Sequence, residues 1–243
     1  MGSKPIGFQC LQYILEKNDD LNIEVVGVLT NTKHILNATE HDIIALCQKN
    51  NIPILPTLAD FLQLEMVDII VSVQYHQILK QKHIDKARQI AINLHIAPLP
   101  EYRGCNQFSF AILDKAEIFG TTIHKMETKI DAGDILFESR FAIPKNCMVS
   151  DLYALSLEKT FFLFQKHLAD IVNENYVGTP QASFSGKRKS SFHKRSDIQN
   201  IKKIDLSWPQ ERIERHFRAT YFPPFEPPYA IVDGKKVFLS FEF

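Results

Sequence analysis

Two short stretches carry side chains that could do chemistry. In Asn93-Leu94-His95 a carboxamide and an imidazole stand two positions apart, so on a strand both face the same side. The Pro98-Leu99-Pro100 loop that follows stiffens the chain as it leaves the strand. In Asp131-Ala132-Gly133-Asp134 two carboxylates sit in a tight loop between extended segments. An imidazole titrates near neutrality, a carboxylate can orient it, and an amide can donate to a developing oxyanion. Each stretch also has a plain alternative: a lone histidine at a strand end is commonly structural, and Asp and Gly are ordinary turn residues. His124 falls on an extended segment and is expected to have a structural role. Cys10, Cys47, Cys105 and Cys147 are widely spaced without Cys-x-x-Cys, which argues against a disulfide framework and against a structural zinc site. They read as reduced thiols, mostly buried, and no metal is expected.

The elements that must position these residues follow from periodicity. Ile6, Cys10, Leu11, Ile14 and Leu15 fall at helical spacing, and residues 22–29 form a β-branched run of strand length. Helices are expected near 40–50, 58–64 and 106–113, and strands at 53–55, 68–73 and 91–94, with a further extended stretch at 121–126. A long helix is expected from 149 to about 175, a short one over 208–219, and a hairpin at 229–232 and 237–243 around Asp233-Gly234. The fold class is therefore α/β with a mainly parallel sheet, plus a small C-terminal helix and β-hairpin region. In such a sheet ligands bind beyond the carboxyl ends of the strands, where Asn93 and His95 fall. Residues 183–203 hold seven Lys or Arg against one acid and read as an exposed connector, with a phosphate site or RNA as the alternatives. The division expected is a core at 1–185 and an extension at 186–243. Lys plus Arg and Asp plus Glu both total 28, which removes the global electrostatic case for a nucleic-acid or anionic-membrane binder. No apolar run approaches the roughly 18 residues of a membrane span, and a cytoplasmic protein is the expectation.

The string INLHIAPLPEYRG followed by GTTIHKMETKIDAGDIL resembles the signature of formyltransferases that use 10-formyltetrahydrofolate. The matching positions are Asn93 and His95, the loop 99–104, and 131–134, and the resemblance runs from Gly2 to about residue 182. It implies a Rossmann-like core and catalytic roles for Asn93, His95 and Asp131. Asn93 would donate to the oxyanion; His95 would share that task or move the amine proton; Asp131 would fix the imidazole tautomer. Which of His95 and Asp131 is the general base stays open. The folate site implied uses residues 73–79, with Gln74, Tyr75, Ile78 and Leu79, together with Asp134. Relatives also carry an apolar strand before the position of Gly2. That implies either an open slot in the sheet or a start codon lying further upstream.

Within the family, the version of the motif from His95 to Gln107 looks like that of sugar N-formyltransferases acting on dTDP-4-amino-4,6-dideoxyglucose, which serve O-antigen synthesis. The alternatives are a dTDP-3-amino or UDP-4-amino sugar, a catalytically silent nucleotide-sugar module, and, less favoured, methionyl-tRNA. Ser3 and Lys4 at a helix N-terminus would meet the diphosphate, and Tyr102 and Arg103 would contact substrate. Tyr221 and Phe222 are expected to stack on the base, with Trp208 and Phe225 as further candidates. Ile96, Ala97, Pro98 and Leu99 would line a pocket for the sugar methyl. Apolar residues crowd the hairpin, so a homodimer through it is expected.

Overall fold

The computed structural model describes residues 1–2, 4–30 and 42–240 of the 243. The chain begins with α1 (Pro5–Glu16), which carries proline in its first turn, where the fixed φ and the missing N–H cost nothing. Next come α2 (Asn18–Leu21), β1 (Val28–Leu29), and α3 (Ile43–Lys49), whose first amides are capped by the Asp42 carboxylate. Then follow β2 (Ile54–Leu55), α4 (Leu58–Gln63), β3 (Val67–Val73), α5 (Gln81–Ile84), β4 (Ala87–His95), β5 (Arg103–Gly104) and α6 (Gln107–Leu113). The remainder is β6 (Ile118–Lys125), β7 (Ile135–Ala142), α7 (Val149–Val172), β8 (Phe192–His193), α8 (Ile198–Lys202), α9 (Gln210–Thr220), β9 (Tyr229–Val232) and β10 (Lys235–Phe238).

The central sheet has the order β3-β4-β6-β7. Its first pair is parallel, as expected, and the pairs β4–β6 and β6–β7 are antiparallel. Helices α1 and α7 pack on it, and Ile6, Cys10, Ile92, Ile123, Phe164 and Ile171 lie in their common core. Burying each such side chain contributes on the order of 1.5–3 kcal/mol. A second cluster joins α6, α9 and the first turn of α7 through Phe108, Ala111, Ala219, Val149 and Leu152. The sheet end that carries Asn93 and His95 is thereby held from both flanks.

Three regions depart from the expectations. The strand expected at 22–29 pairs only over Val28 and Leu29, with β2. Among the described residues no strand lies beside 23–27, and a groove of about 1180 Å³ separates them from 67–71. Met1 and Gly2 bridge one end of it. The Gly2 N–H donates to Leu29 O at 3.0 Å, and the Val73 N–H donates to Met1 O at 2.8 Å. Burial lowers the Met1 ammonium to about 6. Second, α5 forms at Gln81–Ile84, between the strands expected at 68–73 and 91–94, where no helix was expected. Third, the basic segment 183–203 is largely exposed, as expected, but is not a free connector: it lies across the 99–104 loop, adds β8 to β5, and ends in α8. One of its charges is used internally: the Arg188 guanidinium makes paired bonds to Glu138 at 2.9 and 3.0 Å, donates to Leu99 O, and stacks on Phe184.

The hairpin forms with Asp233 and Gly234 both at positive φ, the backbone that a two-residue turn of matching twist requires. β10 is shorter than expected, and residues 241–243 of that expectation lie outside the described residues. Ile231, Val232, Val237 and Phe238 are exposed on the hairpin. No helix among the described residues is long and apolar enough to cross a membrane.

Candidate active site

The period of β4 places Asn93 and His95 on one face, and antiparallel pairing sets His124 of β6 directly opposite Asn93 and Thr122 opposite His95. The 131–134 loop closes over this face. Asp131 adopts φ 50°, a left-handed conformation that aspartate tolerates better than most residues. Two glycines allow the close approach. A Cβ on Gly133 would stand 2.0 Å from Lys125 O, and one on Gly104, at φ +86°, would stand 2.2 Å from His193 O. Gln181 fastens the loop from outside by donating to the carbonyls of Asp131 and Gly133.

Asp131 thus stands between two imidazoles. His95 Nδ1 lies 3.6 Å from Asp131 Oδ2, and His124 Nε2 lies 3.6 Å from Oδ1. The rings meet edge to face at 6.2 Å. The Gly104 N–H donates to Asp131 Oδ2 at 2.9 Å. Burial opposes the charge on Asp131, but the two histidines and this amide outweigh it and hold the carboxyl well below the usual carboxylate range. His95 is 6% exposed, its Nε2 is 2.7 Å from Tyr102 O, and its own carbonyl accepts from Thr121. The arrangement offers an amide donor, an imidazole and a fixed anion within one small space, the set needed to move a proton while stabilising an oxyanion. Among the described residues no group of three or more His, Cys, Asp or Glu is disposed to hold a metal ion.

The other expected site residues are distributed as follows. Gln74 ends β3 at φ 49°, and its Oε1 is buried without a hydrogen-bond partner among the described residues. Tyr75 is half-buried beside His76, Leu79 is buried, Ile78 is exposed, and Asp134 packs against Gly178. Lys4 is exposed just before α1, with Nζ 5.9 Å from the Tyr153 ring; Ser3 lies outside the described residues. Tyr102 turns its ring into the core against Phe119, where burial and Asp114 drive its phenol pKa well up, so it presents a backbone carbonyl instead of a side chain. Arg103 donates to Ser190 Oγ and Ser191 O, which ties it to the basic segment. Phe222 packs against Tyr153 and Phe225, Tyr221 stacks on Phe217, and Trp208 lies against His216. The expected apolar pocket at 96–99 is not there to be used: Ile96, Ala97 and Leu99 are at most 2% exposed and belong to the core. His124, expected to be structural, lies opposite Asn93 and beside Asp131, a position that could have been found only from the β4–β6 register.

A formyl transferase family model matches residues 7–161, which is more than half of the chain and includes Asn93, His95, His124 and Asp131. The chain belongs to the formyl transferase family. Its relatives include GDP-perosamine N-formyltransferase of Brucella melitensis biotype 1, 27% identical over 168 residues, or 69% of this chain. The chain spans 62% of that relative's length. A methionyl-tRNA formyltransferase of Bdellovibrio bacteriovorus is 28% identical over 230 residues, covering 90% of this chain and 70% of that protein. Among solved structures, the N-formyltransferase of Helicobacter canadensis in complex with folinic acid and dTDP-3-aminofucose superposes with a TM-score of 0.78. It is 26% identical and covers 97% of this chain and 84% of that one.

Proposed function

We propose that this protein transfers the formyl group of 10-formyltetrahydrofolate to the amino group of a nucleotide-linked amino sugar. The observation that carries the reading is the clamp of Asp131 between His95 and His124 beside Asn93, at the end of β4, in a family built for formyl transfer. The donor supplies a formyl carbon that a neutral amine can attack. The new C–N bond forms as the bond to the folate nitrogen breaks, and the amine proton ends on that nitrogen. Asn93 donates to the formyl oxygen as charge develops there. His95 carries the proton, and Asp131 holds the imidazole in place and stabilises its cation.

The residues present suit both substrates. The unpartnered Gln74 Oε1 is an acceptor for the N–H edge of a pterin, and Leu79 lies nearby in sequence as apolar wall. At the start of α1, the exposed Lys4 stands within electrostatic reach of Arg195. Two cations brought together at a helix N-terminus favour a diphosphate between them. Phe225, 63% exposed beside Phe222, offers a face to a base.

For the sugar we propose dTDP-4-amino-4,6-dideoxyglucose, on the resemblance of the motif after His95; the product would enter O-antigen synthesis. Homodimerisation through the exposed hairpin face belongs to the same reading. Zero net charge disfavours a transfer-RNA substrate. The test is a panel with 10-formyltetrahydrofolate: dTDP-4-amino-4,6-dideoxyglucose, its 3-amino isomer, UDP- and GDP-4-amino sugars, and methionyl-tRNA, read by mass spectrometry. Formyl gain on the dTDP-4-amino sugar supports the full proposal. Gain only on another sugar keeps the reaction and overturns the specificity, gain only on the tRNA overturns the sugar reading, and no gain anywhere leaves the silent module.

A further inference from the structure

The proposed role of Asn93 leaves a question of orientation. The two ends of a side-chain carboxamide have nearly the same shape, yet one donates and the other accepts. Only the amino end can meet a developing oxyanion. In the other orientation the amide would present Oδ1 to a negative charge. Asn93 makes one side-chain hydrogen bond among the described residues, from Nδ2 to Nε2 of His124 at 3.2 Å.

The direction of that bond follows from the other side of the ring. His124 Nδ1 lies 2.8 Å from the carbonyl of Lys125, which can only accept, so in the neutral form of the ring Nδ1 carries the proton and Nε2 offers its lone pair to Asn93. Asn93 is therefore held amino end toward His124, and the second N–H of the same amino group is free for the formyl oxygen. Asp131 Oδ1, 3.6 Å from Nε2, is beyond hydrogen-bonding distance and does not take its place. His124 is 2% exposed and sits on β6 directly opposite Asn93, so the backbone ladder fixes the pair. We infer that His124 is a positioning residue that selects the donor orientation of the Asn93 amide. The inference rests on Asn93 being the oxyanion donor of the proposed reaction.

The kinetic test is a double-mutant cycle on whichever amino sugar the panel shows to be turned over. His124→Phe keeps a planar ring and removes the acceptor; it should lower kcat by about tenfold to a hundredfold, the scale of a misplaced catalytic group, with the KM for both substrates nearly unchanged. His124→Gln, whose Oε1 can accept from Asn93, should recover most of the lost rate. In an Asn93→Ala background, His124→Phe should cost little more. An equal loss in both backgrounds, or a near-normal rate for His124→Phe, would overturn the inference and spare the catalytic reading. Near-normal turnover of Asn93→Ala alone would overturn both. Nitrogen-15 spectra of the wild-type imidazoles give a check independent of folding of the variants: His124 should show a protonated Nδ1 and a bare Nε2, and the opposite tautomer would refute the assignment.

Discussion

Asp131→Asn separates the two tasks of that carboxylate. The substitution exchanges one carboxylate oxygen for an amino group, and an Asn placed there can still accept from the Gly104 N–H through Oδ1. It then turns an amino group toward one of the imidazoles that the carboxylate faced at 3.6 Å. The chemistry should fall by on the order of a hundredfold to ten-thousandfold in kcat, the range spanned by loss of an oxyanion donor and loss of a tautomer anchor. Stability should fall as well. A hydrogen bond to a charged group contributes about 1.5–3 kcal/mol, and at about 2–4 °C per kcal/mol for a chain of this size that is a drop of roughly 3–12 °C in Tm. The sign with pH follows from the depressed carboxyl. Its folded-state pKa lies below the unfolded value, so its stabilisation is present in full above about pH 4 and is lost as pH falls below that toward the folded value. The melting difference between wild type and Asp131→Asn should therefore narrow as the solution is taken below about pH 4. Thermal melts across pH, paired with formyl-transfer rates, measure both. A variant with near-normal turnover, or a melting gap that widens in acid, would show that the charge on Asp131 is not what the site uses.

The remaining predictions concern the rest of the chain. His95→Asn should fold normally and lose about a hundredfold or more in turnover, by the same arithmetic; a rate within a few-fold of wild type would remove His95 from the mechanism. Deleting residues 233–243 should convert a homodimer to a monomer or an aggregate, because it strips the hairpin that exposes Ile231, Val232, Val237 and Phe238; full-length protein running as a monomer in light scattering at micromolar concentration would refute the interface. With iodoacetamide at pH 8, Cys105 should label in the native protein while Cys10, pushed up to about 12 by burial, and Cys47, pushed up to about 11, should not; labelling of Cys10 before unfolding would contradict its burial. Fusing about five alternating apolar residues ahead of Met1, enough to line the groove beside 23–27 and 67–71, should raise Tm by several degrees, since each buried Val or Ile contributes about 1.5–3 kcal/mol. An unchanged or lowered Tm would mean that the groove does not accept a strand.

What could be seen in the sequence divides along a physical line. Features carried by local chemistry were legible: proline at the start of α1, the Asp233-Gly234 turn with both φ values positive, and the apolar face of α7. The pairing of Asn93 with His95 was legible for the same reason, since a period of two needs no partner strand. Features that depend on which strand lies beside which were not. In the basic segment 183–203 the place of Arg188 turned on Glu138, about fifty residues away, whose carboxylate it meets; nothing local marks it off from the exposed Lys187 and Lys189 on either side. Ile96, Ala97 and Leu99 looked available to a substrate because they follow His95; Ile96 and Ala97 are consumed by packing against α6 and α7, and Leu99 is buried. His124 is the sharpest case. On its own strand it is one more residue of an extended run, and the bulge between Ile123 and His124 in the β6–β7 pairing leaves no trace in the sequence. Only the antiparallel register to β4 sets it opposite Asn93, and from that register follow both the acceptor for the Asn93 amide and the second imidazole at Asp131. On the proposed reading the face is thus a property of two strands jointly: β4 supplies Asn93 and His95, and β6 sets His124 opposite Asn93.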